Sequence, residues 1–170
     1  MLTKTQNARA DLEHAPLIIR RVDAIPVALP LKAPMTMSGV TIATAENVLV
    51  RIEAKGGAVG WGEAASAPTM TGDTLGGLVA AVRDHLAPLL VGQNALARAD
   101  LKRIMARALV GNTGAHSAVE MALFDICGKL TGLPVSDLLG GAVRDRIPMS
   151  FSIANPDIDA LMSDNLYDGC

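Results

Sequence analysis

Residues 46–64 have the sequence ENVLVRIEAKGGAVGWGEA, which predicts two β-strands joined by a tight turn. Over 46–54, apolar and polar residues alternate with the period of two that is typical of a half-buried strand. Gly56 and Gly57 suit the turn, since glycine adopts positive φ without a steric penalty. A return strand over 59–64 completes an antiparallel hairpin. The residues expected to share one face of the first strand are Val48, Val50 and Ile52, with Leu49 opposite.

A further strand is predicted before this hairpin, over residues 18–31, where apolar residues alternate in part. Pro26 and Pro30 indicate an edge position or an early end for it, because proline cannot donate to a strand ladder. The following residues, 32–39, are rich in Pro, Met, Thr and Ser and predict a loop. Three strands joined mainly by short links predict an antiparallel meander.

The apolar period changes to that of a helix beyond the meander. Asp73 or Thr74 is expected to cap the first helix, and Gly92 to stop it. Gly111 ends the second helix, and Asn112 or Thr113 could cap the third. The predicted helices span 75–90, 98–109 and 115–130.

The 115–130 helix is apolar nearly all round, which predicts a central position. Gly132 stands where a C-cap glycine belongs, and Pro134 prevents the helix from continuing. A short helical turn over 136–139 and a new strand over 147–154 are then expected. The inward stripe of the long helix is Val119, Ala122, Leu123, Ile126 and Leu130.

The composition is that of a globular chain with an aliphatic core, since half of the residues are hydrophobic and only 2% are aromatic. A net charge of -2 provides no basic field, so neither nucleic acid nor a membrane surface is expected as a partner. No apolar run is long enough to span a bilayer, and residues 1–16 lack the core of a signal peptide and predict a disordered tail. Cys127 is expected to be a buried free thiol, which fits the cytoplasm.

Three motifs follow one another along the chain. They are Gly60-Trp61-Gly62-Glu63-Ala64, then AVEMALFD over 118–125, then GLPV over 132–135 with LLGG over 138–141. Together they resemble the mandelate racemase and muconate lactonizing family of the enolase superfamily. The resemblance implies an α+β fold, in which a three-stranded antiparallel meander and a helical bundle form an enolase-like capping domain over 17–143. Residues 144–170 would then begin a truncated (β/α) barrel, starting with its first strand.

The resemblance implies an enzyme that removes a proton next to a carboxylate, with a divalent metal, usually Mg²⁺, that stabilises the enediolate formed. The resemblance implies that the base lysines, in a Lys-x-Lys pair, and the metal ligands come from later barrel strands. No Lys-x-Lys occurs in this chain, so no catalytic or metal-binding residue is assigned and the chain alone is expected to be inactive. Mg²⁺ and a small carboxylate substrate are expected only when a barrel is supplied. The helical pattern is lost after about residue 160, which favours the hypothesis of a frameshift, an early stop or a fragmentary gene model.

Two loops are the candidate substrate-binding elements, because their counterparts close over the substrate in the resembled family. One contains Met35, Thr36, Met37 and Ser38, and the other contains Thr69 and Met70. Ser150 and Ser152 alternate on the predicted barrel strand and would face its interior. The alternative is that all of these residues are ordinary solvated loop or strand residues.

The remaining ionisable residues favour structural roles. Glu120 and Asp125 do not share a helix face well, and Asp125 is spaced for an ion pair with Lys129. Neither His85 nor His116 is spaced to pair with another candidate catalytic or metal-binding residue. We expect His85 to be solvated and His116 to have a local structural role. Within the resembled family, the sequence NTGAHSA over 112–118 favours the muconate cycloisomerase-like subgroup. A different hypothesis is a non-enzymatic folded module that self-associates or complements a separate barrel-bearing chain.

Overall fold

The strands form one antiparallel sheet in the order β1-β2-β3, in a computed structural model that describes residues 17–37 and 39–148. The strands are β1 (Ile19–Met37), β2 (Val40–Ala54) and β3 (Val59–Ala65). Each strand pairs with its neighbour in sequence, so the predicted meander is confirmed. The turn between β2 and β3 contains Gly57 at φ 85°, a conformation that favours glycine, whereas Gly56 does not have positive φ.

The first strand is longer than the sequence predicts, and the loop expected over 32–39 is wrong for most of its length. β1 continues to Met37, which pairs with Val40 across a hairpin turn. The register shifts in between, since Pro30 lies opposite Thr44 while Met35 lies opposite Ile42. β1 therefore carries extra residues as an irregular bulge. Proline is tolerated there because β1 is an edge strand, as Pro26 and Pro30 predict.

The predicted 75–90 helix has three parts: α1 (Leu75–Ala80), a π-helical segment (Ala81–Leu86) and α2 (Ala87–Leu90). The Thr74 side chain caps α1 by accepting a hydrogen bond from the backbone N–H of Gly77 at 3.1 Å. The π-helical turn was not predicted. Its physical reason is Pro88, which has no N–H and whose ring crowds the carbonyl one turn earlier; the widened turn makes room for it.

Three further helices follow: α3 (Arg98–Ala108), α4 (Thr113–Thr131) and α5 (Val135–Leu138). Asn112 precedes α4 at φ 49°, but its side chain donates to Val110 O instead of capping the helix. Gly132 ends α4 at φ 72°, as predicted for a C-cap glycine.

The core lies between one face of the sheet and the helices. Val48, Val50 and Ile52 are fully buried on that face, as their alternation predicts. The predicted stripe of α4 is also buried, except that Leu130 is only partly covered. No charged or polar residue of the described ranges is buried. The largest fully buried side chains are Ile19, Ile52, Leu86, Leu90, Leu101, Met105, Leu123 and Ile126.

Helix α4 packs directly on the backbone of β3. A Cβ atom at Gly60 would lie 2.2 Å from the carbonyl oxygen of Ala122, and one at Gly62 would lie 1.9 Å from that of Ala118. Neither distance leaves room for a methyl group. The glycines of β3 and the small residues of α4 therefore let the helix approach the strand closely.

Most of the predicted 147–154 strand lies outside the described residues, as do the predicted 1–16 tail and the ending beyond residue 148. Ile147 and Pro148, which are described, do not lie in a strand. In the described part of the chain, no helix has both the length and the apolarity needed to cross a membrane. Cys127 is a free, buried cysteine, as predicted, and its thiol donates to the Ala95 carbonyl at 3.1 Å.

Candidate functional site

The two candidate loops begin at the same end of the sheet. β2 pairs with β3 only over Asn47–Glu53, so the β1–β2 hairpin extends past the end of β3. The loop after β3 starts where this overhang begins, since Ser66 N donates to Glu46 O at 2.8 Å. From Glu46 to Val40 the hairpin continues for six residues, or about 20 Å at roughly 3.3 Å per residue. The part of the β1–β2 hairpin that extends beyond Glu46 forms a projecting ribbon. This ribbon and the shorter loop after β3 thus lie at the same end of the sheet.

The tip of the ribbon is uncharged and combines apolar and hydroxyl side chains. Met35 is 43% exposed, and Val40 near the turn is also exposed. The Thr36 and Thr41 hydroxyl oxygens face each other across the hairpin at 3.0 Å, which ties the two strands together. Met37 pairs with Val40, and Ser38 lies outside the described residues. The structure therefore places Met35 and Thr36 on strands at a projecting tip, not on an irregular loop.

The loop after β3 is tightly folded. The backbone N–H groups of Met70, Thr71 and Gly72 all donate to the carbonyl oxygen of Ala67, at 3.0, 2.9 and 3.2 Å. The Thr71 hydroxyl donates to the Asp73 carboxylate at 2.9 Å. Gly72 has φ 84°, a conformation that favours glycine. This hydrogen bonding presents Met70, which is 68% exposed, from a defined turn.

The loop is also held against the start of α4. A Cβ atom at Gly114 would lie 3.0 Å from the Asp73 carboxylate, so the two segments touch closely. Thr69, the other candidate in this loop, is exposed. The first turn of α4 is itself fixed by His116, whose Nε2 lies 2.9 Å from the carbonyl oxygen of Leu109. His116 is therefore local structure, as predicted.

These two segments can contact a ligand but cannot transfer protons. Residues 35–38 and 66–72 contain no ionisable side chain. Methionine side chains adapt to ligands of different shape, and threonine hydroxyls both donate and accept hydrogen bonds. The segments thus offer apolar contacts and hydroxyl groups, and no charged group, to a ligand. Ser150 and Ser152, the other two predicted contacts, lie outside the described residues.

The carboxylates of α4 are held by lysines. Lys102 lies 3.2 Å from Glu120, and Lys129 lies 2.7 Å from Asp125 at the predicted i,i+4 spacing. Nowhere in the ranges 17–37 and 39–148 do three His, Cys, Asp or Glu side chains gather into a metal site. The described residues therefore do not fit the Mg²⁺ that the resemblance implies, and none of them is assigned to hold it.

A groove lined by residues of β1, β2 and the π-helical segment, three of them arginines, was not predicted from the sequence. It has a volume of about 610 Å³ and is lined partly by Asp23, Arg51, Glu53 and Arg83. Arg51 bonds Glu53 at 2.8 Å and lies 3.4 Å from Asp23, and the hydrogen bond to Glu53 raises the pKa of its guanidinium. Charge alternation on paired strands is the only signal that could have indicated this network.

A three-stranded meander with helices on one face and two segments at one sheet end is the fold of an enolase-type N-terminal capping domain. The chain belongs to the mandelate racemase and muconate lactonizing enzyme family, whose N-terminal domain matches residues 19–140.

Individual relatives match over the same region. The chain is 36% identical to chloromuconate cycloisomerase of Pseudomonas putida over 141 residues, which cover 82% of this chain and 38% of the relative. It is 36% identical to L-Ala-D/L-Glu epimerase of Bacillus subtilis over 136 residues, which cover 80% of this chain and 37% of the relative. The muconate lactonizing enzyme structure from Pseudomonas fluorescens superposes with a TM-score of 0.79 and 32% identity, over 85% of this chain and 40% of that one. The chain thus spans about two fifths of the length of these relatives.

Proposed function

We propose that this domain covers the reaction site of a cycloisomerase- or epimerase-type enzyme that acts on a small carboxylate. The main observation behind the proposal is that the ribbon, with Met35 near its tip, and the turn that contains Met70 both begin at one end of the sheet. The proposal also draws on 36% identity to a chloromuconate cycloisomerase and to an L-Ala-D/L-Glu epimerase. Those two relatives have different reactions, so the reaction subtype stays open between them.

In this proposal the domain selects and shields the substrate, and a barrel performs the chemistry. An uncharged cover cannot neutralise the substrate carboxylate, and a buried carboxylate without a partner is costly. The cation that meets it, the base and the Mg²⁺ expected of the family would therefore all be held by residues of the barrel. The metal would supply positive charge to the developing oxyanion. By itself the 170-residue chain is expected to be inactive.

The alternative is a non-enzymatic module that docks onto a separate barrel-bearing chain or onto itself. The observation that favours it is a set of exposed apolar side chains after α4, namely Leu133, Leu139, Val143 and Ile147, of which Val143 is 94% exposed. Exposed apolar side chains close together in sequence favour a docking surface. The buried free thiol of Cys127 supports placing either form in the reducing cytoplasm.

A domain exchange tests the main proposal. Residues 17–143 would replace the matching region of the Pseudomonas putida chloromuconate cycloisomerase, and turnover of chloromuconate and of L-Ala-L-Glu would be measured with Mg²⁺. The fusion is expected to turn over at least one of the two, while the isolated chain turns over neither. Turnover by the isolated chain would contradict the proposal that a barrel performs the chemistry. A folded fusion that is inactive on both would contradict the capping role.

A further inference from the structure

The outer edge of β3 has an arrangement that the capping role does not require. β3 is an edge strand, so every second residue directs its backbone N–H and C=O away from β2. Such an edge can pair with a strand of another molecule. The other edge of the sheet, β1, contains Pro26, Pro30 and Pro34, which remove N–H donors. β3 has no proline, so its edge needs a different protection.

Two side chains of α4 occupy this edge. The backbone N–H of Trp61 donates to Asp125 Oδ2 at 2.8 Å, and Lys129 Nζ donates to the carbonyl oxygen of Val59 at 2.9 Å. The same two side chains pair with each other at 2.7 Å. Asp125 and Lys129 thus satisfy one donor and one acceptor of β3 while they neutralise each other. An intrahelical ion pair alone would not need to contact the strand.

We propose that Asp125 and Lys129 close the outer edge of β3 to strand addition by a second copy of this chain. The edge is complementary to itself in antiparallel pairing. With the Trp61 residues of two copies opposite each other, each Trp61 N–H would meet the partner's Trp61 carbonyl, and Val59 would lie opposite Glu63. The two groups that Asp125 and Lys129 now occupy are among those this pairing would use. With these contacts in place, the outer edge of β3 bonds side chains of α4 and not a strand of a second copy.

Single substitutions at Asp125 test the proposal. Asp125→Ala removes the acceptor for Trp61, whereas Asp125→Asn keeps an oxygen that can accept the same N–H. Both variants change the net charge equally and both abolish the ion pair with Lys129. Asp100→Ala is the matched control, because it removes an exposed helical carboxylate that pairs with Arg103 and changes the charge by the same amount.

The readout is the mass of the full 170-residue chain by sedimentation, measured over a range of protein concentrations. We expect Asp125→Ala to shift toward twice the 17.6 kDa chain mass relative to wild type, with Asp125→Asn and Asp100→Ala unchanged. No increase in Asp125→Ala, or an equal increase in the Asn variant or the control, would overturn the proposal. If Asp125→Ala loses its fold, Asp125→Leu carries the same test, because it also removes the acceptor for the Trp61 N–H.

Discussion

At the residue scale, the family motifs are explained by one close contact. The GWG and AVEMA motifs meet where α4 packs on β3, and the two glycines face the carbonyl oxygens of Ala118 and Ala122. The sequence alone supports the motifs only as a resemblance, since no periodicity indicates that a strand glycine will face a helix carbonyl. Asp125 is a similar case. Its spacing predicts the ion pair with Lys129, but its hydrogen bond to Trp61 comes from a residue 64 positions away.

Gly62→Ala is expected to destabilise the domain strongly. The new Cβ would lie 1.9 Å from a backbone oxygen, so the helix must shift away from the sheet. Overpacking typically costs roughly 1–3 kcal/mol, and a clash with backbone should cost at least about 3 kcal/mol in the free energy of unfolding. Urea denaturation followed by circular dichroism measures this.

Gly76→Ala is the matched control, because a Cβ there meets nothing within 4 Å and the residue lies in α1. It should stabilise the domain by about 0.5–1 kcal/mol, since alanine has the higher helix propensity. Equal destabilisation by both variants would show that the close approach of α4 to Gly62 is not the cause.

Cys127 should make stability depend on alkaline pH. Burial raises the pKa of its thiol, with an opposing and smaller effect from Arg98. The unfolded thiol ionises at a pKa of about 8.5, while the folded thiol stays protonated to higher pH. Above about pH 8.5 the unfolded state therefore binds fewer protons, and the free energy of unfolding falls by up to about 1.4 kcal/mol per pH unit from this group.

Cys127→Ala should remove that part of the pH dependence. Urea denaturation of both proteins between neutral and alkaline pH gives the two slopes, and Cys170 is present in both, so its titration cancels. Parallel slopes would mean that the Cys127 thiol ionises equally in the folded and unfolded states.

At the scale of elements, the sequence predicts those parts that depend on local patterns. The alternation of β2, the glycine turn and the three helical regions are confirmed because each follows from a period or a capping residue. The extension of β1 to Met37 is missed because it depends on pairing with β2, which overrides the turn preference of 32–39. The π-helical segment is missed because the apolar period across Pro88 remains helical, although the proline itself was a visible signal.

Thr74→Ala should destabilise the domain by about 1 kcal/mol, because it removes the acceptor for the Gly77 N–H at the start of α1. Thermal or urea denaturation measures the loss. Thr69→Ala is the control, since Thr69 is an exposed loop residue and should change stability by less than about 0.5 kcal/mol. A Thr74→Ala variant as stable as the control would show that the cap does not contribute.

At the scale of the whole molecule, the proposed capping role depends on where the candidate substrate-binding segments lie. The sequence names Met35, Thr36, Thr69 and Met70 through the family resemblance, and the structure adds that their segments begin at the same end of the sheet. No local pattern could predict this, because it follows from β2 being longer than β3.

The most direct test of this account is kcat/KM of the domain-exchange fusion that contains Met35→Ala and Met70→Ala together. Its control contains Met121→Ala, since the exposed fraction of Met121, 45%, is similar to the 43% of Met35, but Met121 lies in the middle of α4. The double variant is expected to lose about tenfold or more in kcat/KM, which corresponds to about 1.4 kcal/mol of transition-state stabilisation, while the Met121 variant is unchanged. Equal kcat/KM for both variants would contradict the claim that the ribbon tip and the Met70 turn cover the substrate.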